Sequence, residues 1–300
     1  MRAVVTGGAG FIGSHVVDAL AERGDEVHVL DDLSKGLRRN VAAAATLHVA
    51  DIRDPDAVFD SARPDVVLHL AAQADVRVSV ERPDHDAEVN VLGTLRVLEA
   101  ARRHGAQVVF ASTGGAIYGE CDGPATESAP RRPLAPYGTS KLCGEEYLAT
   151  WNRLYGTAHL SLRFGNVYGP RQEPHGEAGV VAIFMGILRD GGTATIYGDG
   201  RQTRDYVYVG DVVRAVLAAI GRSGAVYNVG TGAETSVLEL YDAIQQAAGV
   251  RRAAEHAEPR AGELQRSVLD ISLAARDLAW APERTLADGL RETWRWMEER

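Results

Sequence analysis

Tyr137 and Lys141 stand four residues apart, and together they could remove a proton from an alcohol. Side chains at this spacing share one face of a helix, so the ammonium of Lys141 would lie beside the phenol of Tyr137. A nearby cation favours the ionised phenolate and makes a tyrosine usable as a base near neutral pH. Such pairs also occur by chance on solvated helix faces, so the meaning of this one depends on the rest of the chain.

A glycine-rich turn near the amino terminus predicts a dinucleotide site. Residues 1–6 form a short apolar run typical of a strand, a turn with four glycines occupies 7–13, and 14–23 has helical spacing of apolar residues. Glycines let the backbone approach a pyrophosphate, whose charge then rests on the free amides of the helix N-terminus. Two spacings fit this turn: G-x-G-x-x-G on Gly8, Gly10 and Gly13, and G-x-x-G-x-x-G on Gly7, Gly10 and Gly13.

The acidic pair Asp31-Asp32 ends the second apolar run, 26–30. A carboxylate at this distance from the glycine turn can hold the hydroxyls of the adenosine ribose. It also repels a 2′-phosphate, which favours NAD over NADP, although Lys35 and two arginines follow closely. We therefore expect NAD as the cofactor.

The composition indicates a globular enzyme of one large unit or two intimate lobes, because 300 residues with 45% hydrophobic content can bury a large core. A formal net charge of −9 argues against nucleic acid as the main partner. The first strand leaves no room for a signal peptide, and no apolar run approaches the roughly 18 residues of a membrane span. Cys121 and Cys143 lack metal-ligand spacing. We expect a cytoplasmic protein with reduced cysteines, no membrane contact and no metal.

Short apolar runs alternate with helical patterns along the first half of the chain, which predicts an α/β fold: a doubly wound parallel sheet with helices on both faces. Strands are predicted near 46–49, 65–70, 107–112 and 160–164, and helices near 55–62, 84–104 and 136–155. Ligands of such sheets bind at the carboxyl edge. Small and polar residues end four of the predicted strands: Asp51-Ile52, Leu70-Ala71-Ala72-Gln73, Ser112-Thr113 and Gly165-Asn166.

On these residues the chain resembles the extended short-chain dehydrogenase/reductase family, and within it the UDP-galactose (UDP-glucose) 4-epimerase-like nucleotide-sugar enzymes. The matches continue through Val89-Asn90-Val91-Leu92-Gly93-Thr94, Arg163-Phe164-Gly165-Asn166, Arg204-Asp205-Tyr206-Val207 and Leu278-Ala279-Trp280-Ala281-Pro282. The resemblance implies an NAD-binding Rossmann domain over 1–165, with a returning segment near 203–222. It implies a smaller α/β domain over 166–300 that mainly binds the nucleotide sugar.

The resemblance also implies the reaction, a reversible NAD-dependent oxidation at carbon 4 of a UDP-hexose. Tyr137 would be the base, and Lys141 would hold the nicotinamide ribose and lower the pKa of the phenol. Ser112 or Thr113 would share the substrate proton; counting forward from Phe110 favours Thr113, and the choice stays open. A transient 4-keto sugar would turn over in the pocket and be reduced on its other face, so that the cofactor stays bound between turnovers.

Further site residues follow from the same resemblance, position by position. Cofactor contacts are implied for Gly7, Gly10, Phe11, Ile12, Gly13, Asp31, Asp32, Leu33, Ser34, Lys35, Gly36, Asp51, Ile52, Leu70, Ala71, Ala72, Gln73, Asn90, Ser112, Tyr137, Lys141, Phe164 and Gly165. Substrate contacts are implied for Thr113, Gly114, Tyr137, Asn166, Val180, Val181, Ile196, Tyr197, Arg204, Arg260 and Ser267. The arginines would face the diphosphate, and Ser267 would leave volume for an N-acetyl group or a carboxylate beside the sugar.

Three functions remain open at this point. Relatives that eliminate water or carbon dioxide carry an acid beside the catalytic hydroxyl, and Gly114 and Gly115 offer none, which favours an epimerase over a dehydratase. A nucleotide-sugar 4-ketoreductase would use the same scaffold but release its cofactor each cycle. A non-enzymatic sensor usually lacks the tyrosine or the lysine. A homodimer is implied through the helices near 84–104 and 136–155, with these apolar candidates: Val89, Leu92, Leu95, Val97 and Leu98.

Overall fold

A computed structural model of the chain describes residues 1–174, 179–259 and 264–299. The strands are β1 (Arg2–Thr6), β2 (Glu26–Asp31), β3 (Thr46–Val49), β4 (Val66–His69), β5 (Gln107–Thr113), β6 (Leu160–Phe164), β7 (Asn166–Tyr168), β8 (Thr195–Tyr197), β9 (Thr203–Arg204), β10 (Tyr206–Tyr208), β11 (Val226–Val229), β12 (Thr235–Ser236), β13 (Glu255–Ala257) and β14 (Arg266–Ser267). The α-helices are α1 (Phe11–Glu22), α2 (Asp56–Ala62), α3 (Val76–Glu81), α4 (Pro83–Ala87), α5 (Gly93–His104), α6 (Gly114–Ile117), α7 (Pro136–Tyr155), α8 (Val180–Arg189), α9 (Val209–Ala219), α10 (Val237–Ala248), α11 (Ser272–Leu278) and α12 (Leu286–Glu298).

Seven strands form a parallel sheet in the order β11-β6-β5-β4-β1-β2-β3. The order reverses beside β1, because β2 lies on one side of it and β4 on the other. In sheets of this kind ligands bind in the crevice at the carboxyl ends of the strands next to such a reversal. The sheet therefore places the glycine turn after β1 at the centre of the expected binding edge.

Helices cover both faces of the sheet. Successive residues of a strand point to opposite faces, so each strand contributes side chains to a core on either side. Ala3 and Val5 pack in one core with helices α1, α9 and α11, whereas Val4 packs in another with α2, α5 and α7. The predicted doubly wound α/β fold is thus confirmed. Strand β11 completes the sheet, so the part of the chain that returns to the first domain extends beyond the expected segment near 203–222.

The helix predicted over 84–104 is not uniform. It consists of α4, a π-helical turn at Glu88–Leu92 and α5. Single π-turns often occur at functional sites, and this one contains Asn90, one of the expected cofactor residues.

A second core lies in the carboxyl-terminal half of the chain, where α8, α10 and α12 pack around Met185, Leu240 and Leu290. Three small sheets lie outside the seven-stranded one: β10-β7, β12-β9-β14 and β13-β8. Within the described ranges, no helix has both the length and the apolar character needed to cross a membrane.

Candidate active site

The glycine turn is shaped by close backbone contacts that exclude side chains. Gly7 has φ +69 and donates its N–H to Leu30 at 2.9 Å, and a Cβ on Gly13 would lie 2.1 Å from the carbonyl oxygen of Gly7. Gly8 instead packs against Val29 on the neighbouring strand. The spacing that shapes the turn is therefore G-x-x-G-x-x-G, on Gly7, Gly10 and Gly13.

Helix α1 begins at this turn without a side-chain cap and without an acidic residue in its first turn. The amides of Phe11, Ile12 and Gly13 belong to the first turn, where a helix has no internal acceptors for its N–H groups. N–H groups without internal acceptors, next to glycines that have no Cβ, fit a pyrophosphate group. The turn therefore fits the dinucleotide that the sequence predicts.

Asp31 lies at the end of β2 and is almost fully buried. Its two carboxylate oxygens accept the N–H groups of Ala9 and Leu33, each at 2.9 Å. Burial raises the pKa of Asp31, and these two hydrogen bonds oppose the shift. A Cβ on Gly36 would lie 2.6 Å from the carboxylate, so the loop 32–36 closes tightly over it. Asp31 thus fixes the glycine turn and the following loop relative to each other.

The other expected adenosine contacts flank this loop. Asp32 accepts the N–H and the hydroxyl of Ser34, which closes a local turn at the surface. Asp51 pairs with the Arg53 guanidinium at 2.6 Å, which lowers the pKa of Asp51. Ile52 is buried against Gly93.

The end of β4 lies next to the glycine turn. The N–H of Ala71 donates to the Thr6 hydroxyl at 3.2 Å, and a Cβ on Gly7 would lie 2.8 Å from the same nitrogen. Leu70, Ala71 and Ala72 are half-buried, and Gln73 is buried. The ends of β1 and β4 therefore form one continuous backbone wall.

Gln73 and Asn90 bond to each other and to a carboxylate that the sequence reading missed. The N–H of Gln73 donates to Asn90 Oδ1 at 2.8 Å. Asp86 Oδ1 accepts from Gln73 Nε2 at 2.9 Å and from Asn90 Nδ2 at 3.0 Å, and Asn90 Nδ2 also lies 3.1 Å from Ser140 Oγ. Both amides are therefore held by the protein itself, directly behind the helix that carries Tyr137.

Tyr137 and Lys141 lie in the first two turns of α7. The Lys141 ammonium lies 6.0 Å from the centroid of the Tyr137 ring and donates to the carbonyl oxygen of Ala111 at 2.9 Å. Gly144 allows α7 to lie this close to β5, because it has no Cβ. A Cβ there would lie 2.6 Å from the Phe110 ring. Burial lowers the pKa of Lys141 to about 8. The cation is thus fixed beside the half-buried phenol.

Ser112 and Thr113, the two candidate hydroxyls, have different surroundings. The Ser112 hydroxyl donates to Glu145 at 2.5 Å, and Glu145 also accepts two bonds from the buried guanidinium of Arg163, at 2.8 and 2.6 Å. Thr113 ends the strand as the N-cap residue of α6, and its side chain caps no backbone N–H there. Ser112 is therefore part of a buried ionic cluster, whereas Thr113 is not.

The two glycines after Thr113 are crowded by other parts of the fold. A Cβ on Gly114 would lie 2.6 Å from Leu269, and one on Gly115 would lie 3.3 Å from the side-chain oxygen of Asn166. Asn166 belongs to β7 and donates its N–H to the carbonyl oxygen of Asp205 at 2.7 Å. These contacts leave little room for a larger residue at position 114.

The remaining substrate candidates, and the cofactor candidates Phe164 and Gly165, lie between residues 164 and 267. Arg204 and Ser267 are register partners on β9 and β14. Val181 and Ile196 pack in the second core, so their side chains are buried there, whereas Val180 and Tyr197 are half-buried. Phe164 is buried at the end of β6, and a Cβ on Gly165 would lie 2.9 Å from the carbonyl oxygen of Asp205. Arg260, the second expected arginine, lies outside the described residues.

The outer face of α7 is apolar. Thr139, Leu142, Cys143, Glu146, Tyr147 and Thr150 line a shallow groove on it. Exposed apolar side chains also lie on α3, on the π-turn and on α7: Val76, Val80, Leu92, Leu154 and Tyr155. Of the residues expected to contact a second subunit, Val97 and Leu98 are instead fully buried against the sheet.

The chain is similar to known proteins over nearly its whole length. The model of the NAD dependent epimerase/dehydratase family matches residues 3–230. The UDP-glucose 4-epimerase of Mycolicibacterium smegmatis is 47% identical over 98% of this chain and 97% of its own length. Two crystal structures are similar over nearly their whole length. The UDP-glucose 4-epimerase of Thermotoga maritima with UDP-glucose has 44% identity and a TM-score of 0.97, covering 100% of this chain and 99% of its own. The Thermus thermophilus UDP-glucose 4-epimerase complex with NAD has 48% identity and a TM-score of 0.94, covering 99% of each chain.

Proposed function

The chain belongs to the NAD dependent epimerase/dehydratase family, and from this premise we propose that it is an isomerase that inverts carbon 4 of a UDP-sugar, with Tyr137 as the base. Its cofactor is NAD, and its substrates are of the UDP-glucose and UDP-galactose type. The observation that carries the assignment of the base is the fixed Lys141 ammonium, 6.0 Å from the phenol ring and bonded to the carbonyl oxygen of Ala111.

Each of these residues has a definite task in this mechanism. NAD, bound over the glycine turn, supplies the reversible oxidation at carbon 4. Tyr137 removes the proton from the 4-hydroxyl and later returns it. The Lys141 cation stabilises the phenolate form that accepts this proton. Thr113 orients the hydroxyl of the sugar. Inversion requires that the 4-keto sugar presents its other face before carbon 4 is reduced again and Tyr137 returns the proton to the oxygen.

Thr113 is the hydroxyl that we assign to this task. The Ser112 hydroxyl is occupied by Glu145 at 2.5 Å, and moving it would leave a buried carboxylate oxygen with one donor fewer. The Thr113 side chain has no capping bond to compete with a substrate.

Elimination is disfavoured by the packing around Gly114. A dehydratase needs an acid beside the catalytic hydroxyl, but a side chain at this position would collide with Leu269 at 2.6 Å. An acid placed here would have to displace a residue of the buried core. Epimerisation, which needs no such acid, agrees with this packing.

The other site residues would contact either the cofactor or the nucleotide sugar. We propose that residues 1–165 with the returning segment hold NAD and that 166–300 mainly hold the nucleotide sugar. Arg204 would face the diphosphate, as a guanidinium suits paired phosphate oxygens. Ser267 lies opposite Arg204 and is small, so we propose that the pocket accepts UDP-N-acetylhexosamines. If Ser267→Tyr leaves the relative rates on plain and N-acetylated sugars unchanged, this substrate range is wrong.

We also propose a homodimer built on the outer face of α7, where apolar side chains are exposed around Tyr147. The occupant is a second copy of this chain, because the exposed apolar residues lie on the same helix regions that the family resemblance assigns to the subunit contact.

The decisive experiment incubates the purified enzyme with UDP-glucose, UDP-galactose, UDP-N-acetylglucosamine and UDP-glucuronate, and resolves the epimers by chromatography. Tyr137→Phe should lower the rate by at least about 100-fold. The matched control is Tyr155→Phe, the same change at an exposed position of the same helix, which should keep the wild-type rate. Equal conversion by Tyr137→Phe and wild type would refute the assignment of the base.

A further inference from the structure

The Lys141 ammonium is buried to 3% exposure, with the Phe110 ring 4.8 Å away and, among the residues that the structure describes, one carbonyl oxygen as its acceptor. Transfer of an ammonium from water to such a place disfavours its charged form. Burial accordingly lowers the pKa of Lys141 from 10.5 to about 8, and nearby carboxylates oppose the shift. The cation therefore needs negative charge nearby if it is to stay protonated at neutral pH.

Two buried carboxylates act on this ammonium, and they differ in how far they are already neutralised. Glu145 lies one turn further along α7, and both of its oxygens are bonded to the Arg163 guanidinium. Asp86, on α4, is 1% exposed, and the donors to its Oδ1 are the neutral amides of Gln73 and Asn90. The same Asn90 nitrogen lies 3.1 Å from the hydroxyl of Ser140, the residue before Lys141 on α7, so this carboxylate is held against the helix turn that carries the ammonium. Both carboxylates raise the pKa of Lys141, but the charge of Glu145 is balanced by Arg163.

We propose that Asp86 is the counter-charge of Lys141, a positioning residue that holds the ammonium in its charged form and acts through it on Tyr137. The consequence for catalysis rests on the function proposed above, whereas the pairing of charges does not. Gln73 and Asn90 fit this role, because they hold the carboxylate with amide donors and leave its charge unbalanced.

The other groups near Lys141 do not take over this task. His69, on β4, is fully buried between the hydroxyls of Thr6 and Thr94, and burial with the charge of Lys141 lowers its pKa to about 3. It is therefore neutral at neutral pH. On α3, which also packs against α7, Arg77 forms an ion pair with Asp75 at 3.1 Å. Tyr137 itself is the group whose phenolate form the Lys141 cation would stabilise.

The first test uses stability and needs no substrate. A lysine with a pKa of about 8 when folded and 10.5 when unfolded makes the protein more stable as the pH rises through that window. Asp86→Asn keeps the shape but removes the charge, so Lys141 should lose its proton at a lower pH, by about one unit. The Tm deficit of Asp86→Asn should then be largest near pH 6 and shrink by about 2 °C towards pH 8.5.

Two variants serve as controls for this measurement. Asp86→Glu retains the charge, so its Tm difference from wild type should not change with pH. Asp211→Asn removes another buried carboxylate, which accepts the N–H groups of Glu283 and Arg284 in a different part of the fold; its deficit should be constant across the same range. Parallel curves for Asp86→Asn and wild type would refute the counter-charge.

The second test is the pH profile of kcat/KM. Loss of the Asp86 charge lets Lys141 lose its proton at a lower pH, so the alkaline limb of the Asp86→Asn profile, where the ammonium is lost, should move to lower pH. Asp86→Glu should keep this limb in place even if its rate is lower, and an unmoved alkaline limb in Asp86→Asn would refute the tuning of Tyr137. Converging Tm curves in a protein that epimerises none of the sugars tested would refute the proposed function and leave the counter-charge intact.

Discussion

Ser112 and Thr113 carry the same functional group on neighbouring residues, yet β5 directs them to different surroundings. Successive side chains of a strand point to opposite faces. Ser112 therefore meets Glu145 beneath α7, whereas Thr113 ends the strand where α6 begins. Removal of the Thr113 hydroxyl should therefore lower mainly the rate, and removal of the Ser112 hydroxyl should lower mainly the stability.

Thr113→Val should lower kcat by about 100-fold and leave Tm nearly unchanged, because it removes only the hydroxyl that we propose to contact the substrate. Ser112→Ala should lower the free energy of unfolding by about 1–3 kcal/mol and leave most of the rate, because the buried Glu145 loses a donor. Steady-state kinetics and urea denaturation of both variants check this pair. The reverse pattern would assign catalysis to Ser112.

The sequence predicted the site residues that belong to short contiguous motifs, and missed those that are brought in by tertiary contacts. The spacing of Tyr137 and Lys141 predicts a base once the glycine turn and the polar strand ends are found in the same chain. Asp86 is an acid in a helix, a residue type that is almost always exposed, and its burial depends on Gln73 from another segment. Glu145 had a usable signal, since it follows Lys141 by one further turn on the same helix face.

At the level of single elements, the glycine turn between β1 and α1 packs so closely against other backbone that a Cβ on Gly7 or Gly13 would lie only about 2–3 Å from it. This geometry could be predicted because the motif itself specifies it. The π-turn within the predicted 84–104 helix could not, because hydrophobic spacing does not indicate a single widened turn. Its Asn90 is held by bonds to Gln73 and Asp86.

Gly13→Ala should abolish retention of NAD and lower Tm by several degrees, because the new methyl group would lie 2.1 Å from the carbonyl oxygen of Gly7. Absorbance of the purified protein and its released nucleotide measure the retention, and a thermal melt measures Tm. Gly123→Ala is the control, since a Cβ there meets nothing within 4 Å. A Gly13→Ala protein with normal NAD content would contradict the role of this turn.

The buried pair of Glu145 and Arg163 clamps α7 to β6. Glu145→Ala should lower the free energy of unfolding by about 3–5 kcal/mol, because it leaves a buried guanidinium unpaired. The double change with Arg163→Met should lose less than the sum of the single changes. Asp277→Ala, which breaks the exposed pair with Arg276, should change stability by about 0–1 kcal/mol. Urea denaturation of the four variants tests this, and additive losses would show that the pair is not coupled.

On the scale of the whole molecule, α7 packs against the sheet on one side and is exposed at the protein surface on the other. Its inner face carries Tyr137 and Lys141, and its outer face carries Tyr147 among exposed apolar side chains. Sequence patterns predicted an apolar helix pair but not the direction of each side chain. Val97 and Leu98 face the core, whereas Leu92 is exposed.

Tyr147→Glu should convert the proposed dimer to a monomer, because a carboxylate would be buried against an apolar copy of the same helix face. Light scattering coupled to size exclusion measures the mass over a concentration series. Leu238→Glu introduces the same charge at a similarly exposed apolar position on α10 and should leave the mass unchanged. Because Tyr137 lies on the inner face of the same helix, the monomer should also have a lower Tm and a lower rate than the dimer. A wild-type protein that is monomeric at all concentrations, or a Tyr147→Glu protein that stays dimeric, would exclude this face as the subunit contact.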